Sequence, residues 1–376
     1  MVLPERDPLG SPNGAPTSSA DLDDIQALEK LDSEGVLGAV ERFAEQCREA
    51  WSIGKAATGL PDATDVSSCV VLGMGGSGVS GDVVASVVEP RLPLPLRTVK
   101  GYGPLPGWVG RNTLVFAVSY SGSTEETLAA FAEAQERGAR SVAISSGGPL
   151  AEMARQSGVV HVGIPAGLQP RASLGYLTLP ILAVLDKVEL IPPLGDDVIE
   201  AVEVVESLAR SCSRSVPTGQ NPAKDLAARI AGRIPFVYGQ EGLTATAAYR
   251  FKCDLNEYAK TPAGWHFFPE LNHNEIVGWN QLSELTRRRC VAVLLRDVEE
   301  HPRVALRVGI TQRLITEQLA DVVEVRAHGR SPLARLLSLV FVTQLAAIYV
   351  GLSYEVDPGP VEVIQQLKSE LAQHKE

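Results

Sequence analysis

The sequence predicts an α/β protein of two doubly wound halves, each a parallel sheet with helices on both faces. Three observations carry that prediction. Short β-branched runs alternate with stretches of helical length, the order that builds parallel strands joined by crossover helices. The alternation occurs twice, on either side of residues 196–216. At 376 residues, 45% of them hydrophobic, the chain is longer than one compact core usually serves.

The elements follow in order. The N-terminal residues are rich in Gly, Pro and Ser and lack the basic-then-apolar profile of a secretory signal, so residues 1–31 are assigned to a flexible tail. Residues 32–57 have helical apolar spacing and read as a lead-in helix. Within the first half, 32–195, strands are expected at 69–73, 96–100, 113–118, 141–144 and 159–164, and helices at 81–88, 125–137 and 149–156. Residues 196–216 read as a linking helix and loop. The second half, 217–376, starts the pattern again with strands at 234–238, 291–295 and 322–327. Its helices fall at 244–258, 302–320, from Ser331 onward, and at 361–373. The most apolar run, 336–352, is short for a membrane span and carries Ser338, Thr343 and Gln344. A buried helix is expected there, and no membrane association.

A formal charge of −11 disfavours nucleic acid and anionic membrane as partners, since both need a net basic face. Cys47, Cys69, Cys212, Cys253 and Cys290 form no C-x-x-C pair, the pattern of buried thiols in a reducing, cytoplasmic compartment. The six histidines show no H-x-H or H-x₃-H spacing, so no metal and no cofactor is expected.

Two loops in the first half carry chemistry. GMGGSG at 73–78 follows a strand, opens a helix and satisfies G-x-G-x-x-G. A dinucleotide site would need an acidic residue about 20 positions on. The stretch RLPLPLRTVKG at 91–101 has none. Two readings stay open: a tight turn without a ligand, or glycines admitting a phosphorylated ligand to the backbone, with Ser77 adding a hydroxyl. The second loop, SYSGST at 119–124, runs from a buried strand into a helix start. Unpaired N–H groups and partial positive charge at a helix N-terminus suit a phosphate, and four hydroxyls in six positions add neutral donors. Ser123 and Glu126 have capping-box spacing, which accounts for one hydroxyl but not four. The counterpart loop of the second half, RDVEE at 296–300, is acidic. One phosphate site per chain follows.

VLGMGGSG at 71–78 paired with SYSGSTEET at 119–127 resembles SIS (sugar isomerase) domains. NEYAK at 256–260, PELNHNEI at 269–276, EHPR at 300–303 and VDPGPV at 356–361 look like the bifunctional phosphoglucose/phosphomannose isomerases, over roughly residues 32–370. The resemblance implies two SIS-type halves and a sugar-phosphate substrate held by Gly76, Ser77, Ser119, Ser121 and Thr124. It implies Arg171 as the cation steadying developing charge, Glu257 as the base, and His273 and Lys368 in ring opening. It also implies a homodimer with composite active sites, His273 reaching the other subunit's site. Two departures stand out: Gly359 where a Thr is expected, and Ser123 where Asn is common.

The implied chemistry suits these residue types. Moving a proton between adjacent carbons beside a carbonyl needs a carboxylate within hydrogen-bond reach. The enediolate needs a permanent cation nearby, and ring opening a group that titrates near neutrality. His301 competes with His273, but Pro302 behind it marks a helix start. A non-catalytic SIS module that senses a sugar phosphate is the alternative, and in it Glu257 would have no role.

Overall fold

The computed structural model describes residues 20–374, and two parallel sheets organise it. The first contains β1 (Ser68–Leu72), β2 (Leu96–Val99), β3 (Thr113–Val118), β4 (Arg140–Ser145) and β5 (Val160–Gly163), in the order β2-β1-β3-β4-β5. β1 and β3 are buried along their whole length, as the centre of a sheet covered on both faces requires. The second sheet contains β6 (Ile234–Gln240), β7 (Gly264–Phe268), β8 (Cys290–Arg296) and β9 (Asp321–Arg326), in the order β7-β6-β8-β9. All pairings in both sheets are parallel. The predicted fold class holds.

The helices of the first half are α1 (Ile25–Leu31), α2 (Val36–Glu41), α3 (Phe43–Ala56), α4 (Gly75–Val88), α5 (Glu125–Glu136), α6 (Gly148–Gln156) and α7 (Leu174–Lys187). α8 (Gly195–Cys212) crosses to the second half. There α9 (Pro222–Ile230), α10 (Leu243–Tyr258), α11 (Glu275–Gly278), α12 (Ser283–Arg289), α13 (Pro302–Ile315), α14 (Pro332–Ser353) and α15 (Glu362–Leu371) follow.

Several expectations need correction. The flexible tail does not extend to residue 31; residues 1–19 lie outside the described part, but 20–31 are packed. Leu22 and Leu28 are buried, and Ala20 N–H donates to Ser353 O at 3.1 Å. Asp23 takes the ammonium of the fully buried Lys224 at 2.9 Å. A buried lysine needs such a partner, so this pair anchors the N-terminal segment to the second half. The expected lead-in helix is two helices broken at Arg42. The helix after the glycine turn begins at Gly75 rather than at 81. The helix expected to reach 320 ends at Ile315.

The halves also share their interior. One apolar cluster joins Val71 and Phe116 of the first sheet, Val293 of the second, and Leu339 and Phe341 of α14. Separate clusters fill the outer faces of the two sheets. The layering is therefore helices, sheet, a common helical layer, sheet, helices. α14 lies in the common layer and its apolar run is buried throughout, so the run is a core helix, as expected.

Candidate active site

Strand order positions the site. From β1 the chain crosses through α4 to β2 on one side, and from β3 through α5 to β4 on the other. The crevice between the carboxyl ends of β1 and β3 is thus a topological switch point, where open sheets bind ligands. The glycine turn and the serine loop leave those two strands. The second sheet has the same kind of crevice between β6 and β8, and there the loop after β8 is charged. Arg296 there pairs with Glu300 at 2.7 Å and with Glu324 at 2.6 Å, and His301 N–H donates to Gln240 at 3.2 Å.

Because α4 starts at Gly75, the N–H groups of Gly75, Gly76 and Ser77 belong to a helix first turn and lack intrahelical partners. Ser77 Oγ accepts from Tyr120 N–H at 3.3 Å, tying the turn to the serine loop. Ser119 and Thr124 hydroxyls bond at 2.8 Å, and Ser121 and Ser123 hydroxyls at 2.9 Å. The expected capping box does not form: Thr124, not Ser123, is the N-cap of α5, and its side chain caps nothing. Ser123 instead orders Ser121. Gly122 bends the loop with φ +68°, and a Cβ there would lie 1.9 Å from Gly147 O. Only glycine fits that bend.

Arg171 stands against this cradle. A Cβ on Gly76 would come within 3.0 Å of Pro170 O and 3.6 Å of Arg171 Cα. Arg171 is 4% exposed and sits on a single 3₁₀ turn before α7. Its guanidinium pairs with Glu257 Oε2 at 3.3 Å, donates to Pro358 O at 2.8 Å and to Gly359 O, and lies 5.0 Å from the Tyr258 ring. Its Nε has no hydrogen-bond partner among the described residues. The family-like segment 356–361 thus holds the arginine through backbone carbonyls.

Arg250, Asp254 and Glu257 share one face of α10, spaced by four and three residues. Arg250 and Asp254 form a buried pair at 2.8 Å, and Arg250 also donates to Arg171 O. Burial pushes the Asp254 carboxyl above the usual carboxylate range despite its arginine partner. Gln344 of α14 donates to Arg171 O at 3.0 Å and to the Tyr258 hydroxyl at 2.9 Å. A buried network of this kind fixes where Arg171 and Glu257 sit. Glu257 itself is 30% accessible at its side chain. It lines a cavity of about 630 Å³ with Asn256, Lys260, Asp357 and Pro360.

Lys260 belongs to the NEYAK motif, yet nothing in the sequence gives it a role. Its ammonium donates to Glu257 O at 2.5 Å and to Pro360 O at 2.7 Å, closing the C-terminal end of α10 onto 356–361. Burial, and then the Arg171 charge, push it below the ordinary lysine value. Arg250 and Asp254 carry no sequence signal beyond their i, i+4 spacing.

Gly76, Ser77, Ser119, Ser121, Thr124, Arg171 and Glu257 are therefore linked by a continuous run of contacts. His273 and Lys368 are not brought to them within one chain. His273 is exposed on a 3₁₀ turn after β7, and Lys368 is exposed on α15, which buries none of its residues. His301 is an N-cap whose Nδ1 accepts from Arg303 N–H at 3.2 Å, the helix-start role expected of it. Among the described residues no group of three His, Cys, Asp or Glu side chains could hold a metal ion.

Comparison with known proteins identifies the family. The model of the bacterial phospho-glucose isomerase C-terminal SIS domain matches residues 219–371, and that of the SIS domain matches 64–179. The chain is 38% identical to a bifunctional phosphoglucose/phosphomannose isomerase of Caldicellulosiruptor bescii, over 90% of this chain and 99% of that protein. It is also 38% identical to the protein of the same name from Aquifex aeolicus, over 83% and 93%. Among solved structures, a glucose-6-phosphate isomerase like protein from Thermus thermophilus superposes with TM-score 0.59, at 21% identity, over 92% and 99% of the two chains. That last likeness concerns fold alone. Identity at the level of the first two across most of the length sets aside the non-catalytic reading, and the chain belongs to the bifunctional phosphoglucose/phosphomannose isomerase family.

Proposed function

We propose that the protein interconverts mannose 6-phosphate, glucose 6-phosphate or both with fructose 6-phosphate, without a metal, through a cis-enediol. The observation that carries this reading is the Arg171–Glu257 pair at 3.3 Å beside the hydroxyl cradle. The cradle holds the phosphate on N–H and O–H donors. Glu257 removes the C2 proton of the open-chain aldose and returns it to C1. Arg171 faces the charge that develops on the enediolate oxygens. Glucose and mannose differ only at C2, so one carboxylate serves both after rotation about the C2–C3 bond.

His273 and Lys368 enter as ring-opening groups, His273 contributed across a homodimer. Exposure of the His273 side chain in the single chain supports such a composite site. The five cysteines are unpaired thiols, four of them buried, which supports a reducing cytoplasmic location.

The test is purified protein assayed with each aldose phosphate, with and without a chelator. Turnover that survives chelation is expected. Activity lost to chelation and restored by zinc would overturn the metal-free mechanism. Ser119→Ala should separate binding from chemistry. Removing a hydroxyl that serves a charged group is expected to raise KM about ten-fold, with a smaller change in kcat, in saturation kinetics.

A further inference from the structure

Gly359 is a glycine that its own backbone does not require. It is not among the glycines with positive φ, so its conformation is open to any residue. What excludes a side chain is Glu34. A Cβ at 359 would lie 2.9 Å from both Cδ and Cγ of Glu34, and 3.0 Å from its Cβ. The Cδ and Cγ contacts could be relieved by a rotamer change. The Cβ contact, at 3.0 Å, asks only for a shift of a few tenths of an ångström, so the glutamate's outer carbons are the main obstacle.

Glu34 makes a second contact that matters. Its carboxylate accepts a hydrogen bond from Gln169 Nε2. Gln169 immediately precedes the Pro170-Arg171 turn, while Pro358 O and Gly359 O receive the Arg171 guanidinium. One side chain therefore touches both segments that hold the arginine. Its charge also bears on Lys260, together with those of Asp357 and Glu257.

The turn that delivers Glu34 is firmly built. Asp32 is buried, and its two carboxylate oxygens accept from Val36 N–H and Leu37 N–H at 2.8 Å each. Gly35 N–H closes the turn on Asp32 O at 3.1 Å. α1 packs through Leu28, and the Asp23–Lys224 pair fastens the segment before it. The arm adds no strand to either sheet. It ends at the active site.

We infer that Glu34 is a positioning residue of the active site: it occupies the space a side chain at 359 would need and clamps the Gln169 and Gly359 segments around Arg171. The inference rests on the role of Arg171 proposed above. It makes Glu34 and Gly359 a coupled pair, neither of which changes without cost to the other.

The test compares E34A, E34Q, G359A and the double variant E34A/G359A in steady-state kinetics with each aldose phosphate, with inhibition by inorganic phosphate and Tm measured alongside. E34A is expected to lose about 10- to 100-fold in kcat, because misplacing a catalytic group by an ångström costs that much. KM and phosphate inhibition should change less than kcat, because the bond Glu34 accepts comes from Gln169 and not from a donor of the cradle. E34Q keeps the volume and an acceptor for Gln169, and should retain about half of kcat or more. G359A should also lose kcat. The double variant should keep about three-fold or more of the activity that multiplying the two single losses would leave, since contacting residues are not additive. Unchanged kcat in E34A, or single losses that simply multiply, would overturn the inference. If G359A does not fold, the contrast between E34A and E34Q decides alone. A wild-type protein inactive on both aldoses would defeat the isomerase reading instead, which keeps the two failures distinct.

Discussion

Glu257→Gln is expected to lower kcat about 10³-fold with either aldose phosphate, the span general acid–base catalysis covers. The substitution removes the group that accepts the carbon-bound proton and little else. Glutamine keeps the volume and an oxygen for Arg171, which lies 3.3 Å away. The residue is partly accessible and lines the cavity, so its amide costs no buried charge. KM, inhibition by inorganic phosphate and Tm should therefore stay near the wild-type values. A variant that turns over normally would remove Glu257 from the mechanism. One that lost phosphate binding as well would show that Glu257 supports the cradle.

Arg171→Met should have the second largest effect, and on two readouts. Loss of a cation aimed at developing charge is expected to cost about 10²–10³-fold in kcat. Stability should fall as well. Pro358 O and Gly359 O lose their donor inside the protein, and a buried unsatisfied group costs about 1–3 kcal/mol. Arg171→Lys keeps the charge but not the planar fork that reaches a carboxylate and two carbonyls together. It should fall between wild type and the Met variant in both kcat and Tm. Equal activity in Lys and Met variants would show that the guanidinium acts only as a structural strut.

Most of the fold is legible in the residues. The runs SCVVL and TLVFAV declare buried parallel strands, and their predicted positions differ from the observed ones by a residue or two. β7 escapes a sequence reading because its burial is mixed and its residues, GWHFF, have no clean alternation. α9 escapes it because PAKDLAARI is short, although Asn221 caps it and Pro222 opens it. The tail reads too long because its anchors are tertiary. Asp23 finds Lys224 from 201 positions away, and no local pattern records that.

The site divides in the same way. The cradle is readable because its chemistry is local, with hydroxyls and glycines at two strand ends. Arg171 and Glu257 are reached through motif likeness, and the structure gives their physical reason in the buried Arg250–Asp254 pair and Gln344 behind them. Lys260 and Glu34 give no signal, since a lysine at a helix end and a glutamate in a turn are commonplace in sequence. Their meaning comes from what the second half and the N-terminal arm lay beside them. The role proposed for His273 depends on a second chain.

At the centre of the account, Glu257 moves a proton between C1 and C2 of a phosphorylated sugar lodged in the cradle. Incubating fructose 6-phosphate with the protein in deuterated water and following the sugar by NMR tests this most directly. The wild type should form an aldose phosphate carrying deuterium at C2, because the base exchanges its proton with solvent during turnover. E257Q should bind the sugar and incorporate deuterium about 10³-fold more slowly. Deuterium appearing at C2 with E257Q at the wild-type rate would contradict the account.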